Sequence, residues 1–170
     1  MAKKILVAYA SRCGSTAEIA AAVGEVLRQA GHDVTVESVK RVKDLSPYQA
    51  VIIGSAARMF RLLPEAVKFA RKNSAALAKV PVAYFMAGMM MKDATPENTA
   101  KADAILNKLR EVKGPVGTAL FAGKFDVATL EQPWRFFMSR NKDKNKEMGE
   151  GDFRDWKAIE AWAGEMAGKI

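Results

Sequence analysis

Residues 11–16, Ser11-Arg12-Cys13-Gly14-Ser15-Thr16, gather three hydroxyl side chains and one glycine into a single short stretch. An apolar run, Ile5-Leu6-Val7-Ala8-Tyr9-Ala10, precedes it, and a segment with helical spacing follows. Ser11, Ser15 and Thr16 can each donate a hydroxyl hydrogen bond. Gly14 lets the backbone N–H groups turn inward without a side-chain clash. The free N–H groups of a helix's first turn, with the dipole behind them, suit a phosphate. Other phosphate loops do not fit. No lysine follows a glycine as in a Walker loop, and there is no G-x-G-x-x-G. A phosphatase loop needs an arginine after its cysteine, and residues 14–20 contain none. A plain capped helix start is the competing reading of the same residues.

The elements that must hold this loop follow from hydrophobic pattern. Residues 5–10, 50–54, 80–86 and 116–122 are short apolar runs, as expected of strands covered on both faces. Residues 34–39 alternate more, as an edge strand does. Helical spacing appears over residues 15–30 (Ile19, Ala20, Val23, Val26, Leu27), with Gly31 as the stop. It appears again over residues 64–77 (Ala66, Val67, Ala70, Leu77) and after Thr95-Pro96-Glu97, an N-cap and first turn (Ala102, Ile105, Leu106, Leu109). A last helix spans about residues 152–166 (Trp156, Ile159, Trp162, Ala163). Strands alternating with helices predict an α/β domain with a parallel sheet and helices on both faces. Right-handed crossovers then put every strand-to-helix loop at the carboxyl edge, where ligands bind. Three loops qualify: residues 11–16, 55–63 and 87–95.

Composition sets limits. With 170 residues, about half of them hydrophobic, one domain over residues 1–170 is expected. The single cysteine, Cys13, rules out an internal disulfide and fits a reducing compartment. No apolar run approaches the ~20 residues that span a bilayer, and the N-terminal run is too short for a signal peptide, so a cytoplasmic protein is expected. The net charge of +8 suits acidic small molecules, anionic lipid or simple solubility. No zinc-ligand spacing or aromatic-studded basic motif appears, so neither metal nor nucleic acid is expected. Residues 123–151 form a long connection, usually functional or disordered in a compact domain.

Residues 5–20, from Ile5 through the loop to Ala20, resemble the FMN-phosphate signature of flavodoxins: strand, Ser/Thr, two residues, Gly, one residue, Thr. Val51-Ile52-Ile53-Gly54-Ser55 followed by Ala56-Ala57-Arg58-Met59-Phe60 resembles the second flavin loop. Within the flavodoxin-like group, the chain is most similar to the menaquinone-linked protoporphyrinogen oxidase branch. The resembling segments are Thr95-Pro96-Glu97-Asn98-Thr99, Phe121-Ala122-Gly123-Lys124-Phe125-Asp126 and the Asp155-Trp156 pair. The resemblance implies a three-layer fold with strand order 2-1-3-4-5 and FMN as cofactor. It places Ala56, Ala57, Arg58, Met59 and Phe60 on one side of the flavin and Ala87, Gly88 and Met89, with Met90 and Met91, on the other. Two features depart from electron-carrier flavodoxins. Cys13 stands where a hydroxyl is common, and Met89-Met90-Met91 replaces an aromatic in the third loop of a basic chain.

Several side chains have two readings. Phe60 stacks on the flavin or packs on the next helix. Arg58 is a surface arginine or meets a carboxylate or anionic reduced flavin. The methionine triplet faces flavin or a flat substrate, or fills core. Lys124 and Asp126 line the site mouth or serve a turn. His32 has no assigned role. Residues 133–140, Pro-Trp-Arg-Phe-Phe-Met-Ser-Arg, suit a membrane interface, a quinone or a porphyrin-bearing partner, or a loop folded on the sheet edge. The resemblance implies an FMN-dependent oxidoreductase passing electrons from a reduced substrate to a quinone or other acceptor. An electron-transfer module serving a redox partner, and a phosphate-binding domain without flavin, are the alternatives.

Overall fold

In a computed structural model of the chain, residues 1–130, 132–140, 143 and 150–170 are described. Five parallel strands form the sheet: β1 (Lys4–Ala10), β2 (Asp33–Ser38), β3 (Ala50–Arg58), β5 (Val82–Gly88) and β6 (Gly117–Ala122), in the order β2-β1-β3-β5-β6. This is the expected 2-1-3-4-5 order, with one short strand, β4 (Arg61–Leu62), added antiparallel to the end of β3. The helices are α1 (Ser15–Gln29), α2 (Pro64–Lys72), α3 (Ser74–Leu77), α4 (Pro96–Ile105), α5 (Asn107–Arg110), α6 (Trp134–Ser139) and α7 (Trp156–Lys169).

The continuous apolar runs split by alternation onto two cores. Leu6, Ala8, Val51, Ile53, Tyr84 and Met86 pack with Ala66, Phe69, Ala70, Leu77, Leu106 and Leu109 from α2 to α5. Ile5, Val7, Ile52, Ala83, Phe85 and Phe121 pack with Ile19, Val23 and Leu27 of α1 and Ile159, Trp162 and Met166 of α7. Burial on both faces is why these strands carry no polar alternation. Tyr84 is the exception in chemistry. Its hydroxyl donates to the carbonyl of Lys113 at 2.8 Å, and burial pushes its pKa up to about 12.

Several boundaries differ from expectation. Helix 64–77 breaks at Asn73, whose side-chain amide donates back to the Phe69 carbonyl at 2.8 Å. The following helix breaks at Leu106, which stays fully buried. Asp152 does not open the last helix. Asp155 does, accepting from the Ala158 amide at 3.1 Å. The third strand runs on to Arg58 and the fourth to Gly88, so both carry the chain four and two residues further towards the ligand edge than expected.

The long connection, in its described parts, is built rather than open. β7 (Lys124–Phe125) pairs antiparallel with β8 (Gly151–Asp152), a 3₁₀ turn covers Val127–Thr129, and α6 follows. Residues 131, 141–142 and 144–149 of the expected loop lie outside the described residues.

Candidate cofactor cleft at the carboxyl edge of the sheet

Three strand ends converge on a cleft of about 400 Å³. The end of β1 contributes Ser11, Arg12, Cys13 and Ser15. The end of β3 contributes Ala56, Ala57, Arg58 and Met59, and the end of β5 contributes Ala87, Gly88 and Met89. All eleven are residues that the sequence placed at a flavin site. Gly14 and Thr16, in the same loop, are not part of this lining: Gly14 is exposed and Thr16 is buried. Phe60, Met90 and Met91 do not line the cleft. Met90 and Met91 pack against the core on the α2–α4 face, and Phe60 points into a separate groove. The methionine triplet therefore divides: one residue for the cleft, two for the core.

The first loop leaves hydrogen-bond donors without partners. Ser11 Oγ accepts the Gly14 amide at 3.0 Å, closing the turn while leaving its own hydroxyl proton free. Gly14, at φ 85°, is left-handed, the region that favours glycine. Helix α1 starts with no side-chain cap. Its first-turn N–H groups consequently have no partner within the helix. Thr16 is wholly buried, and its hydroxyl oxygen makes no hydrogen bond. A buried hydroxyl without a partner costs about 1–3 kcal/mol. A bound anion accepting that hydroxyl would remove the cost.

Arg12 takes a different place from the one its loop suggests. Its guanidinium pairs with Glu65 at 2.7 Å (Nη1–Oε1) and 3.2 Å (Nη2–Oε2), tying the loop to the first turn of α2. Its charge is thereby largely spent on Glu65. Cys13 is half-buried in the cleft lining.

The second loop is a hairpin. β3 and β4 pair Ala57 with Leu62 and Arg58 with Arg61, leaving Met59 and Phe60 as a two-residue turn. Both have positive φ, 50° and 61°. Such turns favour Asn and Gly there, because side chains in the left-handed region are strained. The hairpin root is fixed by buried Ser55, whose hydroxyl accepts the Leu63 amide at 3.1 Å and donates to the Ala56 carbonyl at 2.8 Å.

A fourth wall was visible only in part from the sequence. Gly123, Lys124, Phe125 and Leu130 complete the lining. Of the two readings open for Lys124, mouth or turn, the cleft lining takes it. Asp126 serves the turn instead, capping the 3₁₀ segment by accepting the Ala128 amide at 2.9 Å. Gly123 docks on the end of β5, its amide donating to the Gly88 carbonyl at 3.2 Å. Lys92, from the 3₁₀ turn after β5 (Met89–Lys92), lies 4.7 Å over the Phe153 ring.

Arg154 went unnoticed in sequence. Its side chain is only 4% exposed. It makes two bonds to the Asp152 carboxylate, at 2.9 and 2.7 Å, and pairs with Glu18 at 2.7 Å. It also lies 4.6 Å over the Trp156 ring. The Arg154 bonds hold the Asp152 carboxyl at about 2, below its ordinary 3.8. Asp152 and Trp156 are two residues away on either side, but the bond to Glu18 spans 136 positions and no short motif marks it.

Many solved structures share the fold, three of them as follows. A flavodoxin from the domain Archaea is 22% identical, with 98% of this chain and 97% of that chain covered and a TM-score of 0.59. A mutant flavodoxin from Pseudomonas aeruginosa is 13% identical, with 98% of each chain covered and a TM-score of 0.56. A mutant flavodoxin from Fusobacterium nucleatum, solved bound to flavin mononucleotide, is 17% identical, with 71% and 70% covered and a TM-score of 0.52. No curated protein matches in sequence. Among the described residues, no helix is long and apolar enough to cross a membrane. The family model of the flavodoxin domain matches residues 6–150, most of the chain including all three loops of the cleft. The chain belongs to the flavodoxin domain family.

Proposed function

We propose that this chain binds FMN in the carboxyl-edge cleft and carries electrons between redox partners. The observation that carries the proposal is the uncapped start of α1 above a buried, unpartnered Thr16 hydroxyl, inside the family's matched region. Ser11, Ser15, Thr16 and the first-turn amides would hold the phosphate. Ala56, Ala57 and Met59 would flank one side of the ring, and Ala87, Gly88 and Met89 the other. The flavin, when bound, takes up and releases the electrons. This chain's residues orient it and exclude water from its faces. The test is a titration of the purified protein against FMN, read by quenching of flavin fluorescence and by the visible spectrum. Saturable quenching supports the proposal, and none would sink it in favour of a domain without flavin.

A second, finer reading adds a substrate. Gly123, Lys124 and Phe125, from the segment resembling the protoporphyrinogen oxidase branch, form a cleft wall with Leu130. Next to it, α6 exposes Trp134, Phe136 and Phe137 together with Arg135 and Arg140. This combination suits a flat anionic substrate such as a porphyrinogen, a quinone, or peripheral contact with a membrane face. Anaerobic mixing of FMN-loaded protein with protoporphyrinogen, then a menaquinone analogue, separates the two readings. Bleaching of the flavin followed by its reoxidation supports the dehydrogenase. Absence of bleaching leaves the carrier alone.

A further inference from the structure

Met59 and Phe60 are neighbours in one turn, yet they line two different depressions. Met59 lines the cofactor cleft. Phe60 lines a wider groove of about 1010 Å³ bounded by the hairpin, α2 and α4. The groove has an apolar floor, with Leu62, Pro64, Val67 and Ile105, and a cationic rim, with Arg61, Arg71, Lys101 and Lys108. Two carboxylates partly answer the rim: Glu97 pairs with Lys101 at 2.7 Å, and Glu111 lies 3.8 Å from Arg71 and 3.7 Å from Lys108.

The hairpin tip itself is left in an unfavourable state. Arg58 and Arg61 stand directly opposite across the two strands, and like charges so placed repel. Neither has a carboxylate within 4 Å among the described residues. Between them Met59 and Phe60, 91% and 70% exposed, are held at positive φ. Strain, like charge and exposed apolar surface thus coincide in four consecutive residues, a combination that marks function more than stability.

We propose that the hairpin tip and this groove form the docking surface for an acidic protein partner, which sets that partner beside the cofactor cleft. The last clause rests on the FMN reading; the docking itself does not. An apolar centre within a charged rim is the anatomy of a protein interface. A small-molecule site would need fixed polar groups on the floor to set orientation, and the floor has none. The sign of the partner follows from the unpaired arginines, the rim and the net charge of +8.

The test uses the full chain, ¹⁵N-labelled, titrated with an acidic plant-type ferredoxin and, separately, with cationic cytochrome c. Amide shifts over residues 58–71 and 101–108, given by the ferredoxin alone and fading with salt, support the proposal. Two exposed positions outside the cleft, Arg61→Glu and Ala104→Glu, should each weaken binding by about tenfold with the folded spectrum intact. No shift, shifts confined to residues 133–140, equal response to cytochrome c, or the same shifts on concentrating the chain alone would each overturn it. The readout needs no flavin, so a parallel FMN titration tells failure of the cofactor reading apart from failure of the docking surface.

Discussion

Nη1 of Arg154 donates to the backbone carbonyl of Ser15 at 3.3 Å, joining the last helix's entrance to the first turn of α1 across 139 positions of sequence. The same nitrogen reaches Glu18 at 2.7 Å. In the FMN reading, Arg154 would act on residues 11–16 by holding the Ser15 backbone, not by contact with a ligand. Arg154→Met should raise the dissociation constant for FMN roughly tenfold, the effect of losing about 1.4 kcal/mol. Riboflavin, which lacks the phosphate, should bind as before. Equal loss for both ligands would mean general unfolding of the corner.

Asp152 reports on the same corner through pH. Arg154 depresses its carboxyl to about 2 from 3.8. A depressed acid stabilises the fold above its unfolded pKa, and that contribution is lost as pH falls through the folded one. The β7–β8 pairing should therefore weaken between about pH 4 and pH 2. Arg154→Met should return the Asp152 titration, followed by its carbonyl carbon shift, to the ordinary range. An unmoved titration would mean that another group sets it.

Thr16 gives a test in which two readouts move in opposite directions. Thr16→Val keeps the shape and removes a buried hydroxyl that has no partner. Replacing such a group by an apolar one is neutral or stabilising. The melting temperature without flavin should therefore hold or rise. FMN affinity should fall by roughly tenfold to a hundredfold, the value of one hydrogen bond to a charged group. A lower melting temperature with unchanged affinity would show that the hydroxyl serves the fold.

The parallel sheet was legible because burial on both faces leaves unbroken apolar runs, such as Ile5–Ala10 and Val82–Met86, whereas the strand order came from the flavodoxin resemblance. The strand–helix junction at residues 11–16 was legible because Ser11, Gly14 and Thr16 act locally, within one turn. The hairpin was not, since Met59-Phe60 lacks the Asn-Gly signature that announces a two-residue turn. Nor was the fourth wall of the cleft. β7 and β8 are two residues each and pair Lys124 with Asp152, so no periodicity within either betrays them. Arg154 is hidden in part for the same reason: Asp152 is two residues away, but Glu18 and Ser15, which tie it to α1, are far along the chain.

The Met59-Phe60 turn carries the fourth prediction. Met59→Asn with Phe60→Gly places residues suited to positive φ at both positions. Relief of left-handed strain should stabilise the protein by roughly 1–2 kcal/mol. For a chain of this size, that raises the melting temperature by about 2–4 °C per kcal/mol. Calorimetry measures it. No rise would mean that the exposed Met59 and Phe60 side chains already repay their strain.

Gly54 is constrained by an aromatic ring rather than by its own backbone angles. It pairs with Phe85 across β3 and β5, and a Cβ built on it would fall 2.0–2.4 Å from that ring. Phe85 cannot easily retreat, because Phe121 and Trp162 hold it with ring centroids at 5.8 and 5.9 Å. Gly54→Ala should destabilise by about 1–3 kcal/mol, as overpacking of a filled core does. Phe85→Leu alone should also destabilise, by loss of packing. Combined, the two should cost less than their sum, because the smaller side chain makes room for the new methyl. Simple additivity in denaturant unfolding would mean that β3 shifts instead of the ring. FMN affinity would then fall too, because Ala56 and Ala57 lie on the same strand, two and three residues further on.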